Sequence, residues 1–135
     1  GMSGRVDWMG QLIRQLRNYR ENIGFELLVF DSLGAFFTLT KMENPRDEIF
    51  RLFEAVRRMG LTAMFVCEMT GDDHQQFGDY GVEDYLSDGV IHLTMERVGD
   101  EISRKLAVIK MRHTAHNLGY LAMSWDPDDQ KFTIS

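Results

Sequence analysis

Two acids in this sequence stand where chemistry is done in α/β proteins. Asp31 follows the apolar run Leu27-Leu28-Val29-Phe30, and Glu68 follows the run Leu61 to Val66, which ends at Cys67. If the runs are neighbouring parallel strands, both carboxylates emerge at the same carboxyl edge, with strands ~4.8 Å apart. Ligands bind at that edge in open α/β sheets. Four apolar residues followed by Asp is the Walker B pattern, in which the acid holds the water shell of Mg²⁺ beside nucleotide phosphates. The competing reading of Asp31 is a strand-end acid that caps the next turn.

A second group is basic. Lys110 and Arg112 lie two apart in an alternating segment and share one face. Two cations on one face need an anion nearby. A phosphate suits them, since Arg offers a planar fork and Lys a point charge. Carboxylate partners on a solvated strand face serve as well. His113 and His116 follow directly. Two histidines are too few for a zinc site, which needs three or four ligands. His74 and His92 carry no chemistry of their own, and Cys67 at the end of a buried strand reads as an inert core thiol.

The elements that position these residues follow from periodicity. Met9, Leu12, Ile13, Leu16 and Tyr19 recur at helical spacing, which predicts an amphipathic helix over Val6 to Asn22 stopped near Gly24. Leu27 to Phe30 reads as a strand buried on both faces, as in a parallel sheet. A loop of about ten residues follows by this reading. Asn44 then caps a helix with Pro45 at its first position and Asp47 three residues after the cap. Ile49, Phe50, Phe53 and Val56 form its apolar stripe, and Gly60 ends it. Leu61 to Val66 completes a βαβ unit.

Met69 to Gly81 is polar and glycine-bearing and reads as a surface loop; Val82 to Leu86 reads as a short helical turn. From Gly89 the pattern alternates. The segments from Val90 to Met95, Arg104 to Met111, Leu121 to Trp125 and Phe132 to Ile134 read as strands, with turns at Val98-Gly99-Asp100 and Asp126-Pro127-Asp128-Asp129. The expected fold class is α/β, a parallel βαβ core followed by an antiparallel meander, in a single domain over residues 1–135.

The chain has 135 residues, 44% hydrophobic and 27% charged, a composition suited to one soluble domain with its own core. One cysteine allows no internal disulfide and fits a reducing, cytoplasmic setting. No apolar run has the length of a membrane span and no leader opens the chain, so no membrane role is expected. The formal net charge of −6 disfavours nucleic acid as a partner. Met2, preceded by one glycine, reads as the start.

Three stretches resemble one family. Leu27 to Leu33 is similar to the Walker B strand of KaiC-like proteins, Tyr80 to Ile91 to their YGVEEFVSDGVI stretch, and Lys110 to His116 to their KxRGTxH motif. The resemblance runs from about Leu12 to Ser135 and extends to RadA-type recombinases, archaeal signalling ATPases and haloarchaeal transducer-like relatives. It implies a partial RecA-like fold of the P-loop NTPase class. It makes Asp31 the Walker B acid, acting on Mg²⁺ through water only when nucleotide is bound, and Glu68 the polar residue ending the next core strand. It further implies that Asp31, Ser32, Lys110, Arg112 and His116 face phosphates, with Lys110 and Arg112 reaching the γ-phosphate of ATP bound to a neighbouring subunit.

Two departures qualify it. His113 stands at the motif's glycine. No glycine is followed by lysine, so the loop that cradles phosphates is missing from these residues, as is the acidic pair between that loop and Walker B. The expectations are therefore a non-catalytic regulatory or scaffolding module in signal transduction, with no tightly bound cofactor and with ATP and Mg²⁺ at a subunit interface if anywhere. The partners expected are further copies of the chain, because removed strands leave edges that recruit others, or a full-length KaiC-like ATPase whose site it completes in trans. A recombinase-like DNA-binding module is the third reading.

Overall fold

A computed structural model describes residues 4–70 and 77–135. His74 and part of the predicted loop from Met69 to Gly81 lie outside the described residues. The chain divides into two compact units, Gly1–Leu86 and Ser87–Ser135.

In the first unit, helix α1 spans Trp8–Ile23. Asp7 caps it by accepting the Gly10 N–H at 2.9 Å, and Gly24 ends it in the left-handed conformation, φ 76°. Of the predicted stripe, Met9, Ile13 and Leu16 are buried, whereas Tyr19 is exposed. Strand β1, Leu27–Asp31, pairs in parallel with β2, Thr62–Val66, in the register Leu27 to Thr62 through Asp31 to Val66.

The strands alternate rather than being buried on both faces. Leu28, Phe30, Ala63 and Phe65 pack on the helical core, while Leu27, Val29, Met64 and Val66 are exposed. Two strands present two faces, and the described helices cover only one.

The expected loop after β1 is in fact helix α2, Leu33–Thr40. Its run of aromatic and β-branched residues has weak helix propensity, but Ser32 caps its start and burial of Leu33 and Phe37 holds it. Helix α3, Pro45–Arg58, begins at Pro45 as the sequence predicts. Asn44 makes no side-chain cap to the backbone; its amide bonds the Asp47 carboxylate instead. The buried stripe is Ile49, Leu52, Phe53 and Val56, with Phe50 turned to solvent. Gly60 then takes φ 66°. Helix α4, Glu83–Leu86, is one turn long.

The second unit is a meander in the order β3-β4-β5-β6, with every neighbouring pair antiparallel. The strands are β3 Gly89–Val98, β4 Glu101–Met111, β5 Leu121–Asp126 and β6 Lys131–Ile134. Strand β4 starts at Glu101, three residues before the predicted Arg104, because the tight turn at Gly99, φ 63°, lets pairing begin at once. Among the described residues no helix is long and apolar enough to cross a membrane.

Candidate functional site at the carboxyl edge of the parallel pair

The register of β1 and β2 determines which acids can meet. Asp31 is the last residue of β1 and lies opposite Val66, so the chain leaving β2 brings Glu68 to the same edge two residues later. Ser32, 5% exposed, joins the two. Its hydroxyl donates to Glu68 Oε1 at 3.2 Å and accepts the Ala35 N–H of α2 at 3.2 Å. The Asp31–Ser32 peptide bond is cis.

Gly34 completes the edge, since a Cβ there would lie 3.2 Å from Glu68 Oε2. A side chain there would have to displace that carboxylate by a few tenths of an ångström. Asp31 is exposed and, among the described residues, its carboxylate has no hydrogen-bond or ion-pair partner. The edge therefore offers one uncommitted carboxylate and a second oriented by a serine.

That donor set fits Mg²⁺, which keeps most of its water and takes one or two carboxylates plus phosphate oxygens. Among the described residues no group of three or more His, Cys, Asp or Glu could hold a metal without such help. Cys67, between Val66 and Glu68, has its thiol pushed up to about 11 by burial, reinforced by the negative charges of Glu83 and Asp79. A thiol that stays protonated is a poor nucleophile and metal ligand.

Lys110, Arg112 and His116 belong to the second unit. Lys110 pairs with Val90 near the end of β4, just past an irregularity in the ladder between Val90 and Ile91. Arg112 lies one residue beyond the strand, so the regular alternation that would set it beside Lys110 does not extend to it. Asp88 holds it twice: the Arg112 N–H donates to the Asp88 carbonyl at 2.8 Å and the guanidinium to Asp88 Oδ1 at 3.2 Å. His113 takes φ 60°, the left-handed conformation suited to the glycine of the motif it resembles. His116 donates locally, its Nδ1–H to the Asn117 carbonyl at 3.0 Å. His92 bonds the Tyr120 hydroxyl at 2.8 Å.

Sequence reasoning missed Glu83. It is 5% exposed, and its carboxylate accepts the N–H groups of Tyr80 at 3.2 Å and Val82 at 3.0 Å. It also missed the serine bridge to Glu68.

Comparison with known proteins bears on the family and the fold. The family model for the KaiC ATPase matches residues 4–128. The chain is 29% identical over 119 residues to the circadian clock protein KaiC3 of Synechocystis, covering 87% of this chain and 23% of that protein. It is 32% identical over 108 residues to a UPF0273 protein of Methanocaldococcus jannaschii, covering 80% and 43%. A crystal structure of a KaiC-like protein of Pyrococcus horikoshii superposes with a TM-score of 0.81 at 21% identity, covering 96% of this chain and 57% of that one. The chain thus spans about a quarter to under half the length of these curated relatives.

Proposed function

Because the chain belongs to the KaiC-like ATPase family, we propose that its first unit supplies the magnesium side of a nucleotide site. Asp31 holds the hydrated cation, and Glu68, oriented by Ser32, shapes the space beside it. The observation that carries this is the exposed, uncommitted Asp31 at the same edge as the Ser32–Glu68 hydrogen bond. When bound, Mg²⁺ neutralises phosphate charge; the chain's own part is to place two carboxylates and one hydroxyl around it.

These 135 residues contain no glycine followed by lysine. A nucleotide held at this edge takes its phosphate donors from residues outside them, on the same polypeptide or on another subunit. Taken alone, the 135 residues act as a regulatory or scaffolding module in signal transduction and not as a self-sufficient ATPase.

Two measurements test this. Calorimetry of the 135-residue chain with ATP and Mg²⁺ is expected to show no micromolar binding, and micromolar affinity overturns the non-catalytic reading. Millimolar Mn²⁺ is expected to broaden the amide resonances of Ser32 and Glu68, and Asp31→Asn to abolish the effect. Broadening that survives the substitution removes Asp31 from its role.

A second reading has one observation in its favour. Arg112 is exposed and already oriented by Asp88 through backbone and side chain. A guanidinium held in this way suits the completion of a neighbour's phosphate site in trans. Stimulation of a full-length KaiC-like ATPase by this chain, lost in Lys110→Ala and Arg112→Ala, is the expected result; equal effects from wild type and variants exclude it.

A further inference from the structure

Glu83 is a buried acid that the proposed function does not use. Three observations connect it to the carboxyl edge. The first is its own commitment. Its two oxygens take the N–H groups of Tyr80 and Val82, so the carboxylate closes the turn that leads into α4. Gly78 makes room for it, since a Cβ there would lie 2.5 Å from the Glu83 carboxyl carbon, and φ at Gly78 is 113°. The residue pair is a fitted lock: a side chain at 78 excludes the acid at 83.

The second is what the lock holds. Arg46 Nε of α3 donates to the Tyr80 carbonyl at 2.8 Å, so the Tyr80 backbone is fastened on both sides. Its ring meets Phe37 of α2 edge-on, with centroids 5.1 Å apart. Arg57 of α3 donates to the Leu86 carbonyl at the far end of the turn.

The third is where the fastened segment lies. Phe37 sits on the helix that Ser32 caps, and Ser32 is the donor to Glu68. The Tyr80 phenol is pushed up by burial first and then by nearby negative charges, Glu68 among them. Thr70, two residues after Glu68, bonds the Asp79 carboxylate with both its N–H, at 3.0 Å, and its hydroxyl, at 3.2 Å. The segment that Glu83 closes is therefore tied back to the residues leaving β2 and to the helix starting at Ser32.

We propose that Glu83 is a positioning residue for the carboxyl edge, holding Tyr80 and Asp79 so that Glu68 stays against Ser32 beside Asp31. It touches no ligand itself. The inference rests on the reading of that edge as a cation site, and the test separates the two.

The probe is Mn²⁺, titrated into wild type, Glu83→Gln and Glu83→Ala and followed by broadening of the Ser32 and Glu68 amides, with amide hydrogen exchange at Tyr80 and Val82 in parallel. Glu83→Ala is expected to weaken Mn²⁺ binding about fivefold to tenfold, and Glu83→Gln, which keeps one acceptor oxygen, about twofold to threefold, as the loss of a charged hydrogen-bond acceptor implies. Wild type that shows no broadening at Ser32 and Glu68 removes the cation site, and this inference with it. Wild-type binding retained in Glu83→Ala, with exchange at Tyr80 and Val82 accelerated, makes Glu83 a structural residue only and overturns the proposal. If Glu83→Ala does not fold, Glu83→Gln decides: affinity equal to wild type overturns the proposal and a twofold to threefold loss sustains it.

Discussion

The two units of this chain hold themselves together differently. The first has a core in the ordinary sense: Met9, Leu33, Ile49 and Leu52 are fully buried between three helices and the inner face of a parallel pair. In the second, Ala107 is the single buried hydrophobic residue among those described. Its order comes from antiparallel ladders and cross-strand pairs such as Trp125 with Phe132, 4.9 Å between ring centroids, and Lys105 with Glu96 at 2.9 Å. On the odd-numbered face of β3, Ile91, Leu93 and Met95 are exposed. The candidate cation edge sits on the unit with the core, as a site that must hold two carboxylates in place requires. The basic cluster sits on the unit whose shape is fixed by backbone hydrogen bonds.

Substitutions can break that contrast. Leu52→Ala, deleting a 0% exposed side chain on α3, is expected to cost about 2–5 kcal/mol in urea unfolding. Leu93→Ala on β3 is expected to change stability by less than about 0.5 kcal/mol. Equal costs would mean that the face of β3 is covered. Next in size is Ser32→Ala, which removes the cap of α2 and the donor to Glu68 together; about 1 kcal/mol is expected. A loss confined to Mn²⁺ binding would show that the cap is dispensable.

His113→Gly is expected to stabilise the second unit by about 0.5–1 kcal/mol, because φ 60° strains a residue with a Cβ by more than glycine loses in chain entropy. A lower melting temperature would contradict this.

The smallest effect is electrostatic and belongs to the first unit. Arg51 bonds both oxygens of Asp7 at 3.0 Å and, with the Gly10 N–H, holds its carboxyl at about 2, below the ordinary 3.8. A carboxyl depressed on folding stabilises fully above pH 3.8, and that contribution disappears as the pH falls through 2. The pair is exposed and screened by salt. Asp7→Asn should therefore flatten the pH dependence of stability between pH 4 and pH 2 at low salt and leave it unchanged at neutral pH apart from the lost pair. An unaltered acid profile would show that Arg51 and Asp7 do not interact in solution.

Much of this architecture was legible in the residues. Alternation marked the strands of the meander, Gly24 and Pro45 marked helix ends, and Asp31 and Glu68 were found by their places after apolar runs. Helix α2 was not legible, because Leu33 to Thr40 has neither helical periodicity nor strong propensity; burial of Leu33 and Phe37 decides it. Leu52 replaced Phe50 in the core for a related reason: both fit an apolar stripe, and only the packing of α3 on β2 selects between them.

Sequence by itself determined which residue types stand at the ends of strands and in which order, since apolar period and turn chemistry are local properties. Only the tertiary structure decided that Ser32 bridges to Glu68 and that Gly34 stands against that carboxylate. Those facts depend on contacts between segments some tens of residues apart, and no local pattern encodes where a chain returns.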